Sequence, residues 1–351
     1  MMIFSWQQSD WHRLARYRNK PHHGLLINGQ SGIGKREFSF ELCQYLLCNA
    51  VSGEDVSEED NGPCGQCQNC RLFNAGTHPD FHVLTNELES AEGRLSLLTD
   101  YSNRYLDSAA REKKTKHSRV ISVDQVRGLI ERFSTHAHIS TTKVALIFPA
   151  DCMNINAANA LLKLLEEPPP DSILVLVTAN PSHLPATIRS RCMTQTLATP
   201  DKESALAWLA QHLPEQQIDI ALTLANGGPL EARRLSDTGF LQHHQACLIG
   251  FAGVVAKQVN PVDFAGQLNK LEFEQLLAWF HRFVTELAKF CVTGIKPYWM
   301  ESIRIDTQNV SVERLYGLYD RISYYRRIAR GTVNEQLALE DLVLAFQRVV
   351  V

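Results

Sequence analysis

The sequence predicts an α/β P-loop-type domain followed by an all-helical half, and three observations carry that reading. Near-continuous apolar runs of strand length, "GLLIN", "KVALIF" and "SILVLVT", alternate with helical patterns, as in a parallel sheet covered on both faces. A glycine-rich turn, "GQSGIGKREF", follows the first run and opens a helix. After Pro200 the apolar residues recur every three or four positions, which is helical spacing. At 351 residues the chain exceeds one ordinary core, so two or three domains are expected.

Taken in order, residues 24–28 read as a short buried strand, and Phe38, Leu42, Tyr45 and Leu46 turn one face of the next helix inward. The acidic stretch 49–63 has loop composition, and "FHVL" at 81–84 is a second strand. Residues 86–119 are polar, end in "REKKTKHSR" and show no sustained apolar stripe, so an exposed insertion is expected there. Ser122 and Gln125 form a capping-box pair ahead of a helix carrying Val123, Val126, Ile130 and Phe133 on one face. The helix "NAANALLKLLEE", stopped at Pro168 to Pro170, separates the last two apolar runs. Beyond Pro200, "DKESALAWLAQHL" and "QIDIALTLANGG" are two helices with a Gly-Gly stop. In "FEQLLAWFHRFVTELAKFC", Leu276, Phe280, Phe283, Val284, Leu287 and Phe290 form the buried stripe of a long helix.

Bulk properties exclude several classes. A composition of 44% hydrophobic and 21% charged residues is that of a globular protein, and no apolar run approaches the roughly 18 residues of a membrane span. The N-terminus carries acid and base too early for a secretory signal, which places the expected location in the cytoplasm. A net charge of −3 argues against gripping nucleic acid alone through a large basic face.

Two motifs carry chemistry. In a P-loop, glycines let backbone N–H groups surround phosphates, a Lys reaches the terminal phosphates and a Ser/Thr hydroxyl ligates Mg²⁺. Gly29, Gly32, Gly34 and Lys35 are in place here, but Arg36 occupies the hydroxyl position and cannot ligate a cation. The candidate metal-binding strand "KVALIF" ends in Phe148-Pro149, with the next acid only at Asp151, so the Mg²⁺ carboxylate is missing as well. Cys64, Cys67 and Cys70 repeat with two-residue gaps, and nine cysteines in a reducing compartment point to metal before disulfides. Cys48 can complete four thiolates for structural zinc, with Cys43 or His78 as substitutes; an iron–sulfur cluster is disfavoured because "CRLF" lacks the expected downstream Cys-Pro. "IRSRC" places Arg189 and Arg191 after the strand "SILVLVTAN", where an arginine can stabilise charge on a phosphate held by a neighbour.

The order of P-loop region, "CGQCQNC", "AGTHPDFHVL", "NAANALLKLLEEPP" and "TIRSRC" resembles the clamp-loader AAA+ proteins of bacterial DNA polymerase III, over residues from about 10 to 200. The resemblance implies an AAA+ domain over 1–197, with a zinc module at about 48–75, then a helical lid over 198–240 and a helical collar over 241–351. It implies zinc ligation by Cys48, Cys64, Cys67 and Cys70, a phosphate-sensing position at Thr178, and a trans-acting arginine finger at Arg191 in Ser190-Arg191-Cys192. Active members end the strand "VALIFP" in Asp-Glu and carry a lid arginine near Leu230, so the departures at Arg36, Phe148, Pro149 and Leu230 imply a member without intrinsic ATPase, with ATP held, if at all, unhydrolysed. The implied partners are gamma/tau motor subunits, the clamp-opening delta subunit, the sliding clamp and primer–template DNA, within a holoenzyme that is a DNA-directed DNA polymerase. An active gamma/tau-type ATPase and a zinc-containing nucleic-acid-binding module are the competing readings.

Overall fold

The computed structural model describes residues 3–15, 18, 22–49, 62–91, 96–106, 117–301, 310–329 and 333–350. The acidic residues 50–61 and the part of the basic run at 111–116 lie outside the described residues. The chain forms two compact units, Met1–Arg234 and Leu235–Val351.

In the first unit the apolar runs become a five-stranded, all-parallel sheet. Its strands are β1 (Gly24–Asn28), β2 (Phe81–Leu84), β3 (Lys143–Ile147), β4 (Ser172–Thr178) and β5 (Met193–Thr196), in spatial order β2-β3-β4-β1-β5. Leu26 of β1 pairs with Leu176 of β4 on one side and Thr194 of β5 on the other. All four apolar strands are buried along nearly their whole length because helices cover both faces. β5 is the exception: "MTQT" is exposed at three of its four positions, so it carries no apolar run.

The helices of this unit are α1 (Gln8–Ala15), α2 (Lys35–Leu47), α3 (Gln68–Asn74), α4 (Glu87–Ala91), α5 (Ser96–Ser102), α6 (Val123–Phe133), α7 (Ile155–Glu166), α8 (Ala186–Arg189), α9 (Lys202–Leu209) and α10 (Glu215–Leu224), with α11 (Pro229–Asp237) beginning in it. One face of the sheet packs on Trp11, Phe38, Leu42, Tyr45, Phe73 and Tyr101, the other on Val126, Leu129, Phe133, Leu161 and Leu165. The capping box ahead of α6 forms as the sequence predicts, with Ser122 N donating to Gln125 Oε1 at 2.8 Å and Gln125 N to Ser122 Oγ at 3.4 Å.

The expectation of an exposed insertion over 86–119 is overturned for its described residues up to 106. Two short helices form there, and Leu98 and Tyr101 of α5 are buried in the core, with Tyr101 against Phe81 at 4.7 Å. A helix of seven residues shows too few apolar positions for its period to stand out from a polar background, and tertiary packing supplies its stability.

The second unit is helical: α12 (Phe240–Val255), α13 (Pro261–Leu268), α14 (Phe273–Thr293), α15 (Val312–Ile328) and α16 (Glu335–Val350). α14 packs on α15, and α16 packs on α12, α13 and α15. Phe251 centres an aromatic core with Phe264, Trp279, Phe280, Phe283 and Phe346, at ring separations between 5.0 and 5.7 Å. No described helix is long and apolar enough to cross a membrane.

Candidate functional site

The glycine loop leaves the C-terminal end of β1, the edge where parallel sheets bind ligands, and runs into α2 at Lys35. Gly32 and Gly34 adopt φ values of +77° and +89°, the left-handed region that glycine alone enters freely. The loop therefore has the backbone of a phosphate cradle. What surrounds it is the protein's own chain.

From one side comes the N-terminal segment. Trp6 Nε1 and Gln7 Nε2 both donate to the carbonyl of Ile33, at 3.0 and 2.8 Å, and a Cβ on Gly34 would lie 2.7 Å from the Phe4 ring. Phe4 stacks on Trp6 at 4.7 Å, and both rings meet the edge of Trp208 in α9. From the other side comes the start of α11. Leu230 N donates to Gly32 O at 2.9 Å, and Cβ atoms on Gly32 and Gly228 would lie 2.4 Å from Glu231 Cβ and 2.3 Å from Ser31 O. The loop is thus held from two sides through its carbonyls and its glycine Cα faces.

Lys35, expected to reach phosphates, is only 6% exposed and folds back to donate to Gln30 O at 2.5 Å. Burial lowers its pKa to about 8, against the pull of the Asp151 and Glu37 carboxylates, which favour the charged form. Arg36 lies where a Mg²⁺ ligand would stand. It pairs with Glu37 at 2.7 Å and Glu89 of α4 at 3.5 Å, and its guanidinium lies over the Phe148 ring at 5.9 Å. The two sequence departures, Arg36 and Phe148, thus lie against each other. Thr178 at the end of β4 donates to Asp151 Oδ1 at 2.7 Å and accepts from Asn180 N at 2.9 Å, so its hydroxyl is committed internally.

The cysteines form the second centre. The sulfurs of Cys48, Cys64, Cys67 and Cys70 all lie within 4.8 Å of one another, with the Cys48–Cys67 and Cys64–Cys70 pairs at 3.9 Å. Zn–S bonds of about 2.3 Å in a tetrahedron set sulfurs about 3.8 Å apart, so this donor set can hold a metal ion. Backbone amides of Cys64, Cys67 and Cys70 point at the sulfurs of Cys48, Cys64 and Cys67 at 3.3 to 3.4 Å. Burial raises the Cys67 pKa, but amides including that of Cys70 outweigh it and bring the thiol down to about 6, toward the thiolate that metals bind, whereas burial pushes the Cys70 thiol up. α2 ends at Cys48 and Cys67 caps α3, so two helix ends deliver ligands to one point. Cys43 is not a substitute: it lies in the apolar core, where burial raises its pKa, outside the cluster. His78 is also outside it; its Nδ1 accepts from Asp80 N at 3.1 Å.

Arg191 stands at the opposite end of the sheet from the glycine loop. It immediately precedes β5, its carbonyl adjoins Gly24 at the start of β1, and β1 is five residues long, or about 13 Å from first to last Cα. Its guanidinium donates to Glu166 Oε1 at 2.7 Å and Thr187 O at 3.0 Å. The sheet thus separates Arg191 from the loop of its own chain, and the side chain is 35% exposed, able to meet a separate molecule. Arg189, also exposed, ends α8.

The residues that pack on the loop, Phe4, Trp6, Gln7 and Glu231, lack any local sequence signal, since their contacts with it span 26 to 199 positions. The partner of Arg191, Glu166, likewise lies outside "TIRSRC".

A protein family described as "DNA polymerase III, delta subunit" matches residues 7–201. The DNA polymerase III subunit delta' of Pseudomonas aeruginosa is 34% identical over 294 residues, covering 83% of this chain and 79% of its own. The subunit delta' of Escherichia coli K12 is 31% identical over 359 residues, covering 99% of this chain and 96% of its own. That of Haemophilus influenzae is 30% identical over 291 residues, with coverage of 82% and 77%.

Proposed function

The chain belongs to the DNA polymerase III delta-prime family, a component of clamp loaders, and from that membership we propose that it is the non-hydrolysing, stator subunit of its complex. The observation that supports this reading is the packing of the glycine loop: Trp6 and Gln7 bond to the Ile33 carbonyl on one side and Leu230 N to the Gly32 carbonyl on the other, so the protein's own chain clamps the loop. Arg36 over Phe148 removes the magnesium position as well. Together these argue against the bound, unhydrolysed ATP that the glycine pattern leaves open, and against an active gamma/tau-type ATPase. In this reading Gly29, Gly32, Gly34 and Lys35 are retained for shape.

The proposed contribution to hydrolysis is made in trans. In this reading Arg191, at the opposite end of the sheet from its own loop, reaches a nucleotide held by an adjacent gamma/tau motor subunit and stabilises the charge of the transferring phosphoryl group. Cys48, Cys64, Cys67 and Cys70 hold a structural zinc that ties the segment between α2 and α3 to the core. Residues 198–240 act as the helical lid and 241–351 as the collar that joins the other subunits, including the clamp-opening delta subunit, in the cytoplasm. The sliding clamp and primer–template DNA are bound by the complex rather than by this chain, whose net charge of −3 suits shared rather than solitary contact with DNA.

The test is ATP binding and hydrolysis by the isolated chain, then by the complex reconstituted with motor and delta subunits. The isolated chain is expected to bind no ATP at concentrations that saturate the motor subunits. In the complex, Arg191→Ala is expected to depress turnover by about 10³-fold at the one interface it serves, the magnitude of an arginine finger. Turnover by the isolated chain, or unchanged turnover at that interface with Arg191→Ala, overturns the reading.

A further inference from the structure

The contact between Arg191 and Glu166 joins two rigid supports. Glu166 is the last residue of α7, whose preceding Leu164 and Leu165 are buried and whose continuation is stopped by Pro168. Arg191 follows α8, anchored through the fully buried Ile188, and its carbonyl lies against the start of β1. The guanidinium is held along one edge by two acceptors, the Glu166 carboxylate at 2.7 Å and the Thr187 carbonyl at 3.0 Å. A guanidinium has five N–H donors in a fixed plane, so the donors not used here remain for an outside acceptor.

Glu166 occupies an unfavourable place for an acid. Helix C-termini carry partial negative charge, so a carboxylate in the last turn of α7 is destabilising unless a cation answers it. Arg191 answers Glu166 directly, beside Lys163 in the helix's own last turn. As an element of stability the pair is weak, because both side chains are substantially exposed, 35% and 49%, and water screens them. Its effect is instead on the freedom of the arginine: a long side chain already fixed in one rotamer loses little entropy on meeting a phosphate.

We propose that Glu166 is a positioning residue for Arg191, holding the guanidinium in the orientation in which its free donors meet the terminal phosphate of a nucleotide on the neighbouring subunit. This rests on the trans-finger reading and adds to it a residue of this chain that acts through Arg191. Because the contact matters when charge develops on the phosphoryl group rather than when ATP first binds, its loss lowers kcat and leaves KM for ATP unchanged.

The experiment uses the full complex reconstituted with motor and delta subunits, and measures ATP turnover at the interface that receives Arg191. Glu166→Ala is expected to lower kcat about three- to fivefold, the range of an exposed ion pair. Glu166→Gln, which keeps an acceptor of the same shape without the charge, is expected to recover part of that loss. In an Arg191→Ala background, Glu166→Ala is expected to cause no further change. A purely structural role would shift thermal stability or ring assembly instead and leave kcat alone. Wild-type kcat in Glu166→Ala, or a further fall in the Arg191→Ala background, overturns the positioning role while leaving the finger intact. Unchanged turnover in Arg191→Ala alone overturns the finger reading, and the positioning role with it.

Discussion

Replacing Gly32 by Ala probes the clamped glycine loop through stability alone, with no nucleotide in the assay. Gly32 sits at φ +77°, where an L-residue costs about 1–2 kcal/mol. Its new Cβ would lie 2.4 Å from Glu231 Cβ and 2.7 Å from Glu231 N. Glu231 cannot simply withdraw, because the neighbouring Leu230 N is bonded to Gly32 O at 2.9 Å and Gly228 abuts Ser31 O. Forcing a methyl group into such a contact adds about 1–3 kcal/mol, for a total of about 2–5 kcal/mol. Gly294 is the control: it has nearly the same φ, +71°, but nothing lies within 4 Å of its Cβ position and it is far in sequence from the cysteine cluster, so Gly294→Ala carries the backbone cost alone, about 1–2 kcal/mol. Urea denaturation of both variants with saturating zinc, compared at matched m-values, gives the difference. Equal losses in the two variants would mean that the start of α11 does not close on the loop in solution, and the cradle would then be open to a ligand.

Asp80 is fully buried and accepts from the amides of His138, Ile139 and Ser140 at 2.7 to 2.9 Å, so Asp80→Ala strands three donors and should cost about 3 kcal/mol or more in the same denaturation assay. Burial would raise its pKa, but the amides of His138, Ser140 and Ile139 outweigh that and hold it below the usual carboxylate value; its stabilisation is therefore present above about pH 4 and lost as pH falls through the folded value, so the gap between wild type and Asp80→Ala should narrow at pH 3. Metal analysis of protein purified without chelators should find one zinc per chain, lost in Cys67→Ala and retained in Cys43→Ala, because only the former belongs to the sulfur cluster. Arg36→Thr restores the P-loop pattern in sequence but should recover neither ATP binding nor turnover, since Phe148 and the packed segments remain; calorimetric ATP binding by this variant would refute that account.

Much of the first unit was legible because its signals are local. The runs "GLLIN" and "SILVLVT" coincide with β1 and β4 residue for residue, since a strand buried on both faces has no polar side to interrupt it. The cysteine spacing places three sulfurs within reach of one point, and two turns of protein are enough to bring them there. β5 was not legible, because an edge strand exposed at Met193, Thr194 and Thr196 owes its position to pairing with β1 rather than to its own hydrophobicity. Leu98 and Tyr101 carry no local signal for a similar reason: residues on a short helix become core only through tertiary packing, as where Phe73 and Phe81 meet Tyr101.

By itself the sequence determined that a glycine turn follows a buried strand, that Arg36, Phe148 and Pro149 stand where magnesium chemistry needs a hydroxyl and an acid, and that four cysteines are available as ligands. These follow from residue identity, which cannot be overridden: no packing gives phenylalanine a carboxylate. Only the tertiary structure decided which segments pack on the loop and at which end of the sheet Arg191 lies. Trp6 lies 27 residues from Ile33 and Glu231 lies 199 residues from Gly32, and contacts of such separation are chosen by the packing of the whole unit.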